Sequence, residues 1–256
     1  MKFNIITSFP KSGNTWLRYI IYDLFFNEQN DENNNSLNIQ KFVPDLHTIK
    51  VNNNQLVLDK VLKDKKIFLK THLSYNQMLK YPMDKIILII RNPLDVFVSL
   101  LNFYGYDDSK KDELVDFFAK NHTLPILKKF DFPTWSQHTN DWIDSNTNLH
   151  TVRYKSLIDN FDMEIQKLSE FFGIVLSREK LDHLKLNTSF IKLRNIEKEE
   201  KKNNSEGVFN YAMGNKKGRF FMNVGKNNNY KDLLNEDQTS ILKESFGNYI
   251  DKYNLW

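Results

Sequence analysis

Apolar positions along the chain switch between two periods. Phe3-Asn4-Ile5-Ile6-Thr7-Ser8 is a short run rich in β-branched residues and reads as a strand. Residues 9–14 follow with Pro10 and Gly13, the chemistry of a turn. Over 15–26 the apolar residues fall at Trp16, Leu17, Ile20, Ile21, Leu24 and Phe25, the offsets of a helix with one buried face. The first unit is thus strand, Gly-containing loop, helix. Residues 27–40 are polar and read as loop. Ile67-Phe68-Leu69-Lys70 is a short apolar run, and 85–90 (KIILII) is a continuous one, the pattern of a strand covered on both faces of a parallel sheet. Arg91-Asn92-Pro93 ends that strand, and Pro93 suits the first turn of a helix running to about Tyr104. Helical patterns recur at 111–120 and 134–145, a strand at 149–154, and a helix at 161–172 closed by Gly173. Asn235 has N-cap chemistry, with Glu236 and Asp237 in the first turn of a helix to about Tyr253. Strands alternating with helices predict an α/β fold, one domain over 1–256 with a mainly parallel central sheet flanked by helices. Residues 196–215 are charged and polar, with little core material beyond Phe209 and Tyr211, and 197–229 is expected to be a mobile segment of that domain.

Composition narrows the chemistry. The 256 residues suffice for a substantial core without staples. With no cysteine, disulfides, thiolate metal sites and cysteine nucleophiles are excluded, which fits a reducing compartment. No apolar run approaches a membrane span, and residues 1–6 lack the features of a signal peptide, so a soluble, cytoplasmic protein is expected. The net charge of +4 suits an anionic small ligand as well as nucleic acid. The basic residues are interspersed with acids and form no stripe, which argues against nucleic acid.

The first strand-loop-helix unit is a candidate phosphate site. Backbone N–H groups at a helix N-terminus favour an anion, Lys11 adds charge, and Ser12, Asn14 and Thr15 add side-chain donors. It is not a Walker A loop, because Lys11 precedes Gly13 and no glycine stands upstream. Residues 9–16 (FPKSGNTW) resemble the 5′-phosphosulfate loop of the sulfotransferases that use 3′-phosphoadenosine 5′-phosphosulfate (PAPS). Lys70-Thr71-His72-Leu73 is similar to that family's K-T-H-L motif, whose histidine is the catalytic base. Residues 91–99 (RNPLDVFVS) are similar to its 3′-phosphate segment, R-N-x-x-D-x-x-x-S. Val152-Arg153-Tyr154 sits where the family carries an adenine-contacting tyrosine after a strand, and 164–173 resembles the helix that follows. The likeness runs from residue 3 to about 240.

This resemblance implies PAPS as donor, PAP as product, no metal, and a small acceptor bearing a hydroxyl or amine. It assigns the cofactor to Lys11, Ser12, Gly13, Asn14, Thr15, Trp16, Arg91, Ser99 and Tyr154, and catalysis to His72, Lys11 and Lys70. The residue types suit the chemistry. An imidazole near its ordinary pKa takes an acceptor proton, a lysine stabilises charge developing on a leaving oxygen, and an arginine forks onto a phosphate. Trp16 also lies on the apolar face of its helix, so core packing and adenine stacking both stay open, and Tyr154 is equally ordinary core material. His47, His122, His138, His150 and His183 lack a comparable motif and read as structural. Phe97, Phe103, Tyr104, Tyr106, Phe209 and Tyr211 are possible acceptor-pocket residues.

One family motif departs. R-K-G should precede G-x-W-K near the C-terminal helix. Tyr230-Lys231 fits the W-K end, but the same register puts Asn223-Val224-Gly225 in place of the basic pair. Lys216, Lys217, Arg219 and Lys226 are the candidates to replace it. The competing readings are a catalytically impaired PAP/PAPS-binding scaffold and a P-loop kinase-like phosphotransferase. No segment like the K-x-x-x-T-V-x-x-x-E dimerisation motif is present, so the oligomeric state stays open.

Overall fold

A computed structural model describes residues 2–26, 39–47, 68–145, 147–203, 209 and 219–256. Four strands, β1 (Phe3–Thr7), β2 (Phe68–Thr71), β3 (Met83–Ile90) and β4 (Leu149–Arg153), form a parallel sheet in the order β2-β1-β3-β4. Thr7 pairs with Thr71 and Leu88, and Ile90 with Arg153. All four strands therefore end along one edge, where ligands bind in open α/β sheets. The residues just beyond those ends are 8–13, 72, 91 and 154, three of the four motif segments plus Tyr154.

The continuous apolar run of β3 is explained by burial on both faces. Ile86, Leu88 and Ile90 enter one core cluster, with Ile5, Phe97, Trp135 and Phe246. Ile87 and Ile89 enter the other, with Ile6, Leu17, Val152 and Ile165. Eleven α-helical segments are described: α1 (Asn14–Phe25), α2 (Tyr75–Met78), α3 (Pro93–Tyr104), α4 (Lys111–Asn121), α5 (Pro125–Lys128), α6 (Trp135–Ile143), α7 (Tyr154–Asp159), α8 (Phe161–Phe172), α9 (Arg178–Asn187), α10 (Phe190–Asn203) and α11 (Glu236–Tyr253). Helices α3, α4, α6 and α11 supply the first cluster, and α1, α8 and α9 the second. The expected caps are in place. Asn92 accepts from Leu94 N with Pro93 in the first turn of α3, and Asn235 accepts from Gln238 N at the start of α11. Gly173 closes α8 at φ 72°, where a side chain would be strained.

The charged stretch after residue 189 differs from the sequence reading. Residues 196–203 belong to helix α10. Leu193, Glu197 and Glu200 are buried at helical spacing. The Glu197 carboxylate accepts from Phe221 N and from Met222 N at 2.8 Å, and Glu200 accepts from Phe209 N at 2.9 Å. A hydrophobicity pattern does not register acids that are buried to hold backbone. Residues 204–208 and 210–218 lie outside the described residues, and with them Tyr211, Lys216 and Lys217. No described helix is long and apolar enough to cross a membrane.

Candidate active site

The loop after β1 is bent at two residues in the left-handed region, Lys11 at φ 67° and Gly13 at φ 107°. A Cβ on Gly13 would stand 2.5 Å from Tyr154 Cδ2, so only glycine lets the loop pass beneath that ring. Gly13 is also the N-cap of α1. It offers no side-chain cap, and the first turn holds no acid. Leu17 N is the first to bond back, to Gly13 O at 3.1 Å. The N–H groups of Asn14, Thr15 and Trp16 thus face outward without intrahelical acceptors. Nearby, Ser12 Oγ and Asn14 Oδ1 are buried without partners, while Asn14 Nδ2 donates to Ser8 Oγ at 3.1 Å. An uncapped helix N-terminus with spare donors suits a phosphate group.

This terminus opens on a cavity of ≈ 320 Å³. Lys11, Gly13, Asn14, Thr15 and Trp16 line it from the loop and α1, Lys70 and His72 from the end of β2, Arg91 and Ser99 from the β3–α3 turn and α3, and Tyr154 from the start of α7. The parallel sheet is what brings together segments up to about 140 residues apart. Ser99 reaches the same cavity as Arg91 because α3 folds back over the strand end. Ser12 is wholly buried behind the lining.

His72 Nδ1 lies 2.6 Å from Ser8 O. A carbonyl only accepts, so the proton sits on Nδ1 and Nε2 keeps its lone pair. Burial first, and then Lys70, push the His72 pKa well below the usual histidine value, so the ring is neutral at neutral pH. Phe132 packs edge-on against it at 5.4 Å. Lys11 Nζ sits 3.4 Å from the Phe221 ring centroid and 4.2 Å from that of Phe103. Burial, reinforced by Arg91, lowers the Lys11 pKa to about 7. Arg91 stacks on Tyr154 with 4.2 Å to the ring centroid and donates to Lys11 O at 3.4 Å, and its buried Nε makes no hydrogen bond but stands 4.0 Å from the Asp95 carboxylate. Trp16 meets Tyr154 edge-on at 5.7 Å and lies nearly parallel to Phe161 at 6.2 Å, with its Nε1 buried and unpartnered. It is thus both a packed residue and a cavity wall.

Of the candidate replacement basic residues, the two that are described do not line the site. Arg219 donates to Asn102 O at 3.1 Å and Lys226 pairs with Asp232, and neither lines the cavity. Asn223, Val224 and Gly225 do line it, in the register where the basic pair would stand. Phe103 and Tyr104 are lining residues, whereas Phe97 and Phe209 are fully buried core and Tyr106 packs against the core. His47 also lines the cavity, contrary to its structural reading, alongside Arg18, Gln40, Asp45, Phe130 and Phe132. No motif pointed to these. Residues 39–47 are held at the site by contacts between distant segments: Lys70 N donates to Pro44 O at 2.8 Å, Asp45 bridges to Lys70, and Arg18 donates to Gln40 Oε1 and Val43 O.

Residues 4–254 match the family model of the sulfotransferase domain. The chain is 25% identical to sulfotransferase 6B1 of Mus musculus over 252 residues, covering 94% of this chain and 74% of that protein. It is 31% identical to sulfotransferase 1A1 of Bos taurus over 208 residues, covering 74% of this chain and 65% of that one. Its fold is similar to that of a retinol dehydratase solved with androsterone and the inactive cofactor PAP, with TM-score 0.69, 18% identity, and coverage of 96% of this chain and 80% of that one. It is also similar to mouse sulfotransferase SULT7A1 complexed with PAP, with TM-score 0.61, 18% identity, and coverage of 99% and 88%. The chain belongs to the sulfotransferase family, the class of PAPS-dependent transferases.

Proposed function

We propose that this protein transfers a sulfuryl group from PAPS to a hydroxyl, or an amine, of a small-molecule acceptor, with His72 as general base. The observation that carries this is the convergence of Lys11, Lys70, His72, Arg91 and Ser99 on one cavity above the uncapped N-terminus of α1. The donor set fits the nucleotide. The N–H groups of Asn14, Thr15 and Trp16 suit the 5′-phosphate. The Arg91 guanidinium and the Ser99 hydroxyl suit the 3′-phosphate, and the Trp16 and Tyr154 rings suit adenine. Bound PAPS supplies an activated sulfuryl group on a phosphosulfate anhydride. His72 Nε2 accepts the acceptor's proton as that oxygen or nitrogen attacks sulfur. Lys11 is placed to offset negative charge on the leaving phosphate, and Lys70 to hold a sulfonate oxygen. Two structural neighbours were solved with androsterone and with retinol, which supports an alcohol acceptor here.

Calorimetry with PAP and AMP tests the nucleotide. A 3′-phosphate offers Arg91 and Ser99 a charged ligand group that AMP lacks, and a charge-assisted contact is worth about 1.5–3 kcal/mol. PAP is expected to bind far more tightly than AMP. Equal affinities would overturn the assignment. One observation favours a second reading, an impaired PAP-binding scaffold: Asn223-Val224-Gly225 replaces the basic pair, and Arg219 and Lys226 are engaged elsewhere. That reading gives tight PAP binding with no transfer from PAPS to any phenol or alcohol offered.

A further inference from the structure

Asp45 belongs to none of the segments on which the family resemblance rests. Among the described residues lining the cavity it is the only carboxylate, facing the cations Lys11, Arg18, Lys70 and Arg91. Three contacts fix it. Its Oδ2 lies 2.7 Å from Lys70 Nζ, its Oδ1 accepts from His47 N at 2.9 Å, and its own N–H donates to Gln40 Oε1 at 3.0 Å. Arg18 holds that same Gln40 oxygen at 3.0 Å. The backbone bridge between Asp45 and Lys70 sets the two residues side by side at the sheet edge. Both side chains are nearly closed to solvent, at 7% exposure for Lys70 and 15% for Asp45.

We propose that Asp45 is a positioning residue for the transfer reaction, holding the Lys70 ammonium in the cavity wall beside His72, where it meets a sulfonate oxygen of the donor. The task given to Lys70 rests on the sulfotransferase reading above; the ion pair does not. A buried ammonium loses its hydration, and its charged form survives only beside a counter-charge. The groups that face Lys70 electrostatically are Asp45, Arg18, Lys11 and the neutral His72. Arg18 and Lys11 carry no negative charge in either protonation state, so Asp45 alone favours the charged lysine. Burial already lowers the Lys70 pKa, and Asp45 opposes that fall. Burial alone would raise the Asp45 pKa, but Lys70, His72 and Arg18 hold it below the usual carboxylate range. Replacing Asp45 with the isosteric amide therefore leaves the shape and removes the counter-charge.

Two measurements on the full chain test this without an identified acceptor. The first is NMR titration of ¹³C-labelled lysine, with Lys70 assigned by its loss in Lys70→Arg. Asp45→Asn is expected to lower the Lys70 midpoint by at least about one pH unit, tenfold in proton affinity, and Asp45→Glu to restore most of it. The second is the ratio of PAPS to PAP affinity by calorimetry. At a pH between the Lys70 midpoints that the titration reads for wild type and Asp45→Asn, the variant should lose most of any preference for PAPS, with PAP affinity within about threefold of wild type. An unchanged Lys70 midpoint overturns the proposal. So does a parallel loss of PAP and PAPS affinity, the mark of a merely structural residue. Failure of the sulfotransferase reading has its own signature: wild-type protein that binds neither nucleotide, whatever stands at position 45.

Discussion

His72 presents a lone pair on Nε2 because its Nδ1 proton is committed to Ser8 O and burial keeps the ring neutral. His72→Ala is therefore expected to cut turnover by about 10²–10⁴, while PAP affinity holds, since no proposed phosphate contact uses the ring. Turnover within a few-fold of wild type would remove His72 from the role of base. Lys11 carries a second expectation. With its pKa at about 7 in the free protein, it is largely neutral in mildly alkaline solution, whereas a bound phosphate favours its ammonium form. Binding PAP near pH 8 should then take up a proton, and affinity should fall as pH rises above about 7. Calorimetry in two buffers of different ionisation enthalpy reads the uptake, and Lys11→Met should abolish it. These two residues, with Arg91 and Ser99, were legible because each sits in a local run whose neighbours specify it. Asp45 and His47 were not, because a pairing between segments far apart in sequence brings them in, and nothing adjacent to them marks it.

Helix α1 begins as a phosphate-binding element must, with an open cap and no acid in its first turn, and both features were written in the order Lys11-Ser12-Gly13-Asn14-Thr15. Gly13→Ala tests how tightly that start is built. The new methyl would meet Tyr154 and occupy φ 107°, a conformation costing a non-glycine residue about 1–3 kcal/mol. The variant should melt lower and bind PAP less well. Adding Tyr154→Ala should recover the steric part of the stability loss but not the backbone part, and a double-mutant cycle showing no coupling would contradict the close approach. The strands, α3, α8 and α11 follow the hydrophobic period and the caps Asn92, Gly173 and Asn235 closely. Helices α9 and α10 escape that logic. Their charged surfaces look solvated, yet Glu197 is buried to hold Phe221 N and Met222 N, which form a wall of the cavity. Glu197→Ala should accelerate hydrogen exchange at those two amides well before it affects the sheet. Equal exchange in wild type and variant would mean the wall stands by other contacts.

At the scale of the molecule, the cavity is a product of the sheet's edge, not of any one segment. Its proposed nucleotide contacts come from α1, the β3–α3 turn, α3 and α7, which touch different core clusters on the two faces of the sheet. A nucleotide binding there would tie both faces together, so its affinity should appear as global stability. For PAP present at about 100 times its Kd, mass action adds about 2.7 kcal/mol to unfolding, on the order of 5–10 °C in Tm for a chain of this length. AMP at the same concentration lacks the contacts of Arg91 and Ser99. If those contacts are worth about 1.5–3 kcal/mol, AMP should add only about 0.3–1.3 kcal/mol. The paired variant Arg91→Ala, Ser99→Ala should then reduce the PAP shift to the AMP shift and leave the AMP shift where it was, because the 3′-phosphate is the only part of the nucleotide assigned to the lost groups. Thermal unfolding of six samples, wild type and variant each alone and with each nucleotide, gives the comparison. If the variant loses its response to both nucleotides alike, Arg91 serves the fold of the site through Tyr154 and Lys11 and not the 3′-phosphate, and the recognition of PAP over AMP must be sought elsewhere in the cavity.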